Sequence, residues 1–304
     1  MELFVEQCLN GLQFGVMLFL MAAGLTLVFG IMDLINLAHG SLYMIGAYAA
    51  AYVGGRTNSF LLALIAGLAA AAVTGYLVEW IVLRRLYSRG HLHQVLATFG
   101  FILLANESMT ILFGRQPLFS NIPAALAGSV PVFGDLRYPV YKLLIIGIGL
   151  LVAVLLYLLI QRTRAGMLVR AGATHREMVR ALGVNIRALY SAVFGLGALL
   201  AGLAGAMAGP MLSVDAGMGD QIVILTFVVI VVGGVGSVRG AVAGALLVGF
   251  LDTMSRAFLP GVLRSVMTAS SADSLAAGIS SINVYLLMAV VLLWRPRGLF
   301  PVHG

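Results

Sequence analysis

The sequence has few charged residues. Only 10 % of its 304 residues are Asp, Glu, Lys or Arg, whereas 61 % are hydrophobic, and a soluble domain has about 25 % charged residues. Several uncharged runs exceed the ~18 residues that suffice for a spanning helix. Because no polar stretch is long enough for a soluble domain, the composition predicts a single polytopic transmembrane domain over residues 1–304.

Cysteine and lysine are nearly absent. Cys8 is the single cysteine, which excludes an intrachain disulfide. Lys142 is the single lysine, and no Gly-Lys-Ser/Thr follows a glycine-rich turn, so the phosphate-binding loop of an ATPase is missing. If ATP drives this protein, the ATPase is another chain. The histidines are dispersed and form no acid–base or metal constellation, which argues against an intramembrane enzyme.

Nine apolar segments follow one another along the chain. They predict an all-α, polytopic transmembrane helical bundle of about eight to nine spans, with broken or re-entrant segments. Residues 115–139, which contain four prolines, and residues 252–281 are predicted to be loops. The apolar segments are residues 9–31, 42–53, 59–83, 95–113, 140–160, 189–209, 221–232, 241–251 and 282–293.

The first two segments are separated by a very short polar stretch, Gly30–Gly40. Asp33, Asn36 and His39 follow each other at spacings of three, which would place them within roughly 120° on one helical face. The chain must turn within about ten residues, and irregular backbone at membrane depth is tolerated only where protein or a water-filled cavity covers it. The stretch therefore indicates a broken or partly re-entrant segment, or else a tight interfacial hairpin whose polar residues face lipid headgroups.

A second interruption, Gly233–Gly240, lies between two short apolar halves. A glycine-rich break of this kind is typical of a discontinuous transmembrane helix, whose exposed backbone groups bind a polar solute or act as a hinge. The alternative is a cytoplasmic turn, with Arg239 as a positively charged anchor. Glu107, in the fourth segment, is costly in a membrane unless it is paired or hydrated, so it indicates either a buried structural pair or part of a pathway.

The polar loop 162–187 stands between two long apolar runs. Thr174 and Glu177 have the spacing of a capping box, and Gly183 is placed to end the helix in a left-handed cap. We therefore expect one short helix of roughly two turns outside the hydrocarbon region. The loop carries six arginines, Arg162, Arg164, Arg170, Arg176, Arg180 and Arg187.

The basic residues indicate an orientation. With the N-terminus outside, 12 of the 18 basic residues fall on the inner side, in agreement with the positive-inside rule. The arginines lie in short loops beside apolar runs, where charge sets membrane orientation, so the net charge of +7 does not indicate a nucleic-acid partner.

Five blocks of sequence form a recognisable set, namely Gly24–Gly30 (Gly-Leu-Thr-Leu-Val-Phe-Gly), Leu34–Tyr48 (beginning Leu-Ile-Asn-Leu-Ala-His-Gly), Arg170–Asn185, Gly233–Ala241 and Trp294–Leu299. Together they resemble the LivH-type permeases of branched-chain amino-acid ABC importers. The resemblance covers nearly the whole chain, and its N-terminal block is the most specific part.

The resemblance implies a set of partners. A LivH-type permease pairs with a LivM-type permease in the bacterial inner membrane, two cytoplasmic ATPases of the LivG/LivF type drive the pair, and a periplasmic binding protein delivers the solute. ATP and magnesium would bind to the ATPases, with no cofactor in this chain. The loop 162–187 then resembles the coupling helix that contacts an ATPase. The implied coupling residues are Thr174, Glu177, Arg180, Ala181 and Gly183.

Two alternatives remain at the level of sequence. Permeases of the same family carry urea, short amides or aromatic acids instead of leucine, isoleucine and valine. A stand-alone secondary transporter or channel is the alternative from another class, although proton or sodium coupling usually needs carboxylates within the membrane. The residues predicted to line the path are Asn36, His39, Glu107, Gly233, Gly234, Gly236 and Ser237.

Overall fold

A computed structural model describes residues 1–87, 89–134, 136–174 and 176–300, except for the side chains of Phe133 and Arg176. Within these ranges, seven helices are long and apolar enough to cross a membrane, and α9 is a shorter apolar helix. The helices are α1 (Glu2–Met32), α2 (His39–Thr57), α3 (Phe60–Ile81), α4 (His91–Phe113), α5 (Val140–Arg162), α6 (Arg164–Thr174), α7 (Arg176–Ala181), α8 (Ile186–Ala208), α9 (Met218–Gly233), α10 (Val238–Leu263) and α11 (Ala269–Trp294), with a 3-10 helix at Leu83–Arg85.

Helices α1 and α8 form the centre of the bundle. Both are buried over most of their length, as expected for helices that are apolar on all faces. α1 packs along α10 and α8, whereas α8 also packs against α2 and α3. Small residues allow neighbouring helices to approach each other closely. Gly40 of α2 meets Gly219 of α9 backbone to backbone, so that a β-carbon on either would overlap the other's carbonyl group.

One end of the bundle is rich in arginine. Gly30, near the end of α1, lies against Gly236 before α10, and Arg84 after α3 donates to Ser191 in the second turn of α8. Phe300 closes the same end, because its N–H donates to the carbonyl of Gly233 at 2.9 Å. We call this the arginine-rich end, and the end that holds the N-terminus of α1 the opposite end.

The nine predicted apolar segments all lie in helices, but both predicted loops are partly wrong. Residues 115–139 contain an antiparallel hairpin of β1 (Ser129–Phe133) and β2 (Leu136–Pro139). Residues 252–281 are almost entirely helical, because α10 continues to Leu263 and α11 begins at Ala269. Their polar side chains bond within and between these two helices, for example Asn283 to Ser255 at 3.1 Å, and therefore do not end them.

The polar loop 162–187 contains two helices where the sequence predicts one. α6 follows α5 after a single residue, Thr163, whose hydroxyl accepts from the N–H of Gly166 at 3.0 Å. α7 is only six residues long. His175, between Thr174 and the start of α7, lies outside the described residues.

Candidate functional site

The connection between α1 and α2 places polar groups in the interior. Asp33 ends α1 in a left-handed conformation (φ 51°), and its side chain is 70 % exposed. Asn36 and His39 are fully buried instead, so the prediction that the three share a helical face is wrong. The cause is that the chain leaves the helix between Asp33 and Ala38. Asn36, His39, Thr26 and Ser41 all carry buried polar atoms that have no hydrogen-bond partner in the described part of the chain.

The second interruption is a turn and not a discontinuous helix. α9 and α10 fold back on each other, and Gly233 faces Gly240 so closely that neither position has room for a β-carbon. Ser237 begins α10, since its hydroxyl accepts from the N–H of Gly240 at 3.1 Å. Gly234 adopts φ 108°, where only glycine is unstrained. The alternative of a turn anchored by Arg239 therefore describes this stretch.

A cavity of about 610 Å³ lies at the arginine-rich end, and we call it the inner cavity. It joins residues from three predicted groups: Gly236 and Ser237 of the turn, Thr174 of the polar loop, and Thr26 near the first interruption. Arg239 borders the cavity with its guanidinium 5.7 Å from the ring centre of Tyr157. The sequence did not predict that the turn and the polar loop would share a cavity.

The end of α7 matches the prediction. Gly183 has φ 84°, the left-handed conformation expected of a cap. Its N–H donates to the carbonyl of Arg180 at 3.0 Å, and the N–H of Val184 donates to the carbonyl of Val179 at 3.4 Å. These are the two hydrogen bonds of a Schellman motif. Val179 is buried, whereas Glu177, Arg180 and Ala181 are exposed.

The predicted capping box at the start of α7 is wrong. Thr174 is the last residue of α6, and its hydroxyl donates to the carbonyl of Arg170 at 3.0 Å. Because Thr174 belongs to α6, its N–H is committed to that helix and is not available to the carboxylate of Glu177. Glu177 remains in the first turn of α7, where an acidic side chain favours the helix dipole.

A buried carboxylate connects α3 to the base of α8. Glu79 accepts from the Tyr87 hydroxyl at 2.5 Å and from the Ser191 hydroxyl at 2.8 Å, and it pairs with Arg84 at 3.4 Å. Burial raises the pKa of Tyr87 well above its ordinary value, and the bond to Glu79 raises it further. This network holds α8, the helix that follows the polar loop. In the sequence, the only indication of the network is that Glu79 and Arg84 lie close together.

Glu107 does not form the buried pair that was one of its two interpretations. Its side chain is exposed on α4, and none of the ion pairs among the described residues includes it. α4 is peripheral, and it is the neighbouring Asn106 that turns inward and donates to Asp220 at 3.2 Å. Whether Glu107 lines a path stays a prediction.

A further cavity of about 420 Å³ lies toward the opposite end, and we call it the outer cavity. The irregular segment 209–217 brings Asp215 into its wall, and α10 contributes the ion pair of Asp252 with Arg256 at 2.9 Å. The sequence does not predict the pair of Asp252 and Arg256, because it predicts a loop over residues 252–281. The spacing of four between Asp252 and Arg256 was the available signal.

The fold defines a multi-pass helical membrane protein. Among the described residues no group of three or more His, Cys, Asp or Glu side chains is arranged to hold a metal ion. The family described as "Branched-chain amino acid transport system / permease component" matches residues 7–293. The chain therefore belongs to this family, as the resemblance in its sequence predicted. It is a transport component and not itself an enzyme.

Individual relatives agree with the family over the full length. The chain is 30 % identical over 313 residues to the high-affinity branched-chain amino acid transport system permease protein BraD of Pseudomonas aeruginosa, covering 97 % of this chain and 95 % of BraD. It is 26 % identical to LivH of Escherichia coli K12, with the same two shares covered. The ribose import permease protein RbsC of E. coli K12 is 30 % identical over 77 % of this chain and 72 % of RbsC. A permease component of this kind works with ATPase and substrate-binding partners.

Proposed function

We propose that this chain is the membrane subunit through which an ABC importer moves leucine, isoleucine and valine, driven by ATPase subunits on other chains. Family membership and the names of BraD and LivH support the solute class. The absence of a phosphate-binding loop in the sequence supports a separate motor. ATP and magnesium then bind on the partner ATPases, and this chain needs no cofactor of its own.

One observation carries the proposal, namely the apolar face that α7 exposes outside the bundle. Met178 is 64 % exposed and Leu182 is 78 % exposed. They are four residues apart and therefore lie on the same side of the helix and its cap. Val179, at 6 % exposure, is turned about 100° from Met178 and packs against the protein. A short, well-capped helix with an apolar outer face fits the docking of a soluble subunit, and a transporter without such a partner has no use for one.

The contacts of the polar loop suggest how movement at α7 reaches the membrane helices. α7 contacts α8, and α6 contacts α1 and α5. α6 also places Thr174 in the inner cavity opposite Ser237 of the turn between α9 and α10. A rigid helix displaced by an ATPase therefore shifts elements on both sides of the inner cavity, which is how packed bundles convert small movements into changes of access.

The proposal includes an orientation and a set of partners. The arginine-rich end faces the cytoplasm of a bacterial cell, because basic residues favour that side of the inner membrane. The N-terminus is then periplasmic and the C-terminus cytoplasmic. A LivM-type permease completes the membrane domain, two ATPases of the LivG/LivF type drive the pair, and one of them binds the coupling loop 162–187. A periplasmic binding protein delivers the solute.

The test of coupling is the double variant Glu177→Ala/Gly183→Val, with the assembled importer reconstituted in vesicles. Valine at φ 84° costs about 1–2 kcal/mol in the left-handed conformation. Loss of the acidic side chain further weakens the first turn of α7. We expect ATP hydrolysis to continue while solute uptake falls at least about tenfold, a loss of 1.4 kcal/mol in coupling.

Gly114→Val is the matched control for this experiment. Gly114 ends α4 at φ 84°, at the opposite end of the bundle, and a β-carbon there meets no atom within 4 Å. Backbone strain is thus introduced far from α7, and it is no smaller than at Gly183, because φ 84° with ψ −179° is a conformation that only glycine adopts readily. Normal coupled uptake in the double variant, or equal uncoupling in Gly114→Val, contradicts the docking role of α7.

The solute is tested directly with the same vesicles. Uptake of labelled leucine, isoleucine and valine is compared with uptake of ribose, urea, a short amide and an aromatic acid. RbsC makes ribose the comparison of most interest, since its similarity to this chain extends over most of the bundle. Preference for ribose or for urea would replace the proposed solute and leave the coupling mechanism intact.

A further inference from the structure

The outer cavity combines the ion pair of Asp252 with Arg256, a further carboxylate and an apolar wall. Asp215 lines it from the irregular segment before α9, and Arg256 lines it from α10. Phe14, Ile222 and Leu225 supply apolar surface between them. At about 420 Å³ the cavity is within the size range of small-molecule sites, roughly 300–1,000 Å³.

Arg256 uses only part of its hydrogen-bonding capacity within the protein. Its Nε–H is shared by the two carboxylate oxygens of Asp252, at 3.0 and 2.9 Å. Its terminal nitrogens donate to no protein acceptor among the described residues, and its side chain is 54 % exposed. A guanidinium with both terminal nitrogens free is suited to bind a carboxylate through two parallel hydrogen bonds. Asp252 holds the guanidinium in position but leaves its two terminal nitrogens available.

Asp215 supplies a negative charge to the outer cavity. Its carboxylate accepts from the hydroxyl of Ser213 at 3.4 Å, and none of the basic side chains in the described residues pairs with it. The Tyr43 side chain is 2 % exposed and shares the same wall. Asp215 is partly buried, so its carboxylate gains from a nearby cation, because charge is costly to remove from water alone.

Arg256 also stands at the approach to the cavity. A second cavity of about 340 Å³ shares Phe14, Asp252 and Arg256 with the first. It extends to Gln7 and Asn10 in the first turns of α1, which lie toward the opposite end. A solute entering from that end therefore passes Arg256 on its way to the outer cavity.

We propose that the outer cavity is a binding site for zwitterionic amino acids with apolar side chains. Arg256 binds the α-carboxylate, Asp215 binds the α-ammonium group, and the side chain lies against Phe14, Ile222 and Leu225. This inference rests on the proposed function and gives the permease a solute site of its own. A neutral sugar or urea has no use for the two charges.

The test is equilibrium binding of labelled leucine to the assembled importer, purified through a tag on this chain and freed of its binding protein. Leucinamide, which lacks the carboxylate, and 4-methylpentanoate, which lacks the amine, are the competitors. The variants are Arg256→Gln and Asp215→Asn. Arg264→Gln is the matched control, because Arg264 pairs with Asp273 at 2.8 Å just after α10 and does not line the outer cavity.

We expect both site variants to weaken leucine binding at least about tenfold, the effect of losing a charge-assisted hydrogen bond. Arg264→Gln is expected to leave binding unchanged. Arg256→Gln should no longer distinguish leucine from leucinamide, and Asp215→Asn should no longer distinguish leucine from 4-methylpentanoate. A general defect in folding would weaken all three ligands alike. If Arg256→Gln does not assemble, Arg256→Lys keeps the pair with Asp252 but lacks the fork and should show a smaller loss.

The possible failures are distinguishable. Wild-type affinity and unchanged discrimination in both site variants overturn the site. The same conclusion follows if the wild-type importer takes up leucine with ATP but binds none in the absence of its binding protein. If the wild-type importer neither binds nor takes up leucine, the proposed function fails, and this inference fails with it.

Discussion

The two interruptions of the bundle look alike in sequence but differ in how their polar groups are satisfied. Between α1 and α2, Asn36 and His39 are buried, and their side-chain nitrogens and oxygens have no hydrogen-bond partner among the described residues. Between α9 and α10, the Ser237 hydroxyl caps the next helix. Leu299 and Phe300 donate to the carbonyls of Val232 and Gly233 at 3.0 and 2.9 Å.

The difference indicates which interruption is built to stay closed. The α9–α10 turn has its backbone groups bonded and its two helices locked together by glycine contacts, so it behaves as a fixed corner. The α1–α2 connection carries unpaired buried polar atoms, each of which costs about 1–3 kcal/mol. Such a cost is expected where another conformation, or a polar solute, supplies the missing partners. We therefore expect the α1–α2 connection to change its surroundings during transport, and the α9–α10 turn to move as a unit.

The largest effect should come from Gly233→Val. A side chain there overlaps the carbonyl of Gly240, and the helices can accommodate it only by separating. We expect a loss of about 3 kcal/mol or more in stability, at the upper end of overpacking effects, measured as thermal unfolding in detergent. Gly147→Val is the control, since a β-carbon on Gly147 meets nothing within 4 Å. Equal unfolding temperatures for the two variants would show that the turn is not a locked corner.

The next effect has the opposite sign. Asn36→Leu replaces two unpaired polar atoms by methyl groups of the same branched arrangement, so it should raise stability by about 1–3 kcal/mol. Uptake should fall, because the polar groups are then absent from the conformation that uses them. Thr98→Val is the control, as the Thr98 hydroxyl is buried but bonded to the carbonyl of Gln94 at 3.0 Å, and this change should destabilise. Uptake at the wild-type rate in Asn36→Leu would remove Asn36 from the path.

The smallest effect concerns Ser237→Ala. Loss of the cap at the start of α10 should lower stability by about 1 kcal/mol. Uptake per folded molecule should change little, because the glycine contacts still hold the corner. Unfolding temperature and uptake are measured on the same preparation. A gain in stability, as expected for Asn36→Leu, would erase the contrast between the two interruptions.

Much of the fold follows from local sequence. The nine predicted apolar segments lie in helices, and Gly183 correctly predicted the end of α7. Both results depend on hydrophobicity, segment length and cap residues, which act over a few neighbouring positions. Local reasoning failed where partners come from elsewhere. Asp252, Ser255 and Arg256 resemble loop residues in sequence, yet Asp252 pairs with Arg256 within α10. Ser255 accepts from Asn283 of α11, so that both helices continue through the predicted loop.

The candidate site divides in the same way. The sequence predicts a role for Asn36 and His39 because they are polar residues beside apolar runs, and both side chains are buried in the structure. The outer cavity could not be predicted, since Phe14, Asp215 and Arg256 come from three distant parts of the chain. The spacing of Asp33, Asn36 and His39 misled because periodicity carries meaning only inside a helix, and α1 ends at Met32.

The central claim is that this chain moves its solute only with a separate ATPase. The most direct measurement purifies the tagged chain from its native membrane in detergent, identifies the associated proteins by mass spectrometry, and follows leucine uptake in vesicles with and without ATP. We predict that two ATPases and a second permease are purified together with the chain, and that leucine uptake requires ATP and the binding protein. A chain that is purified alone and takes up leucine without ATP would contradict the account and favour a stand-alone secondary transporter.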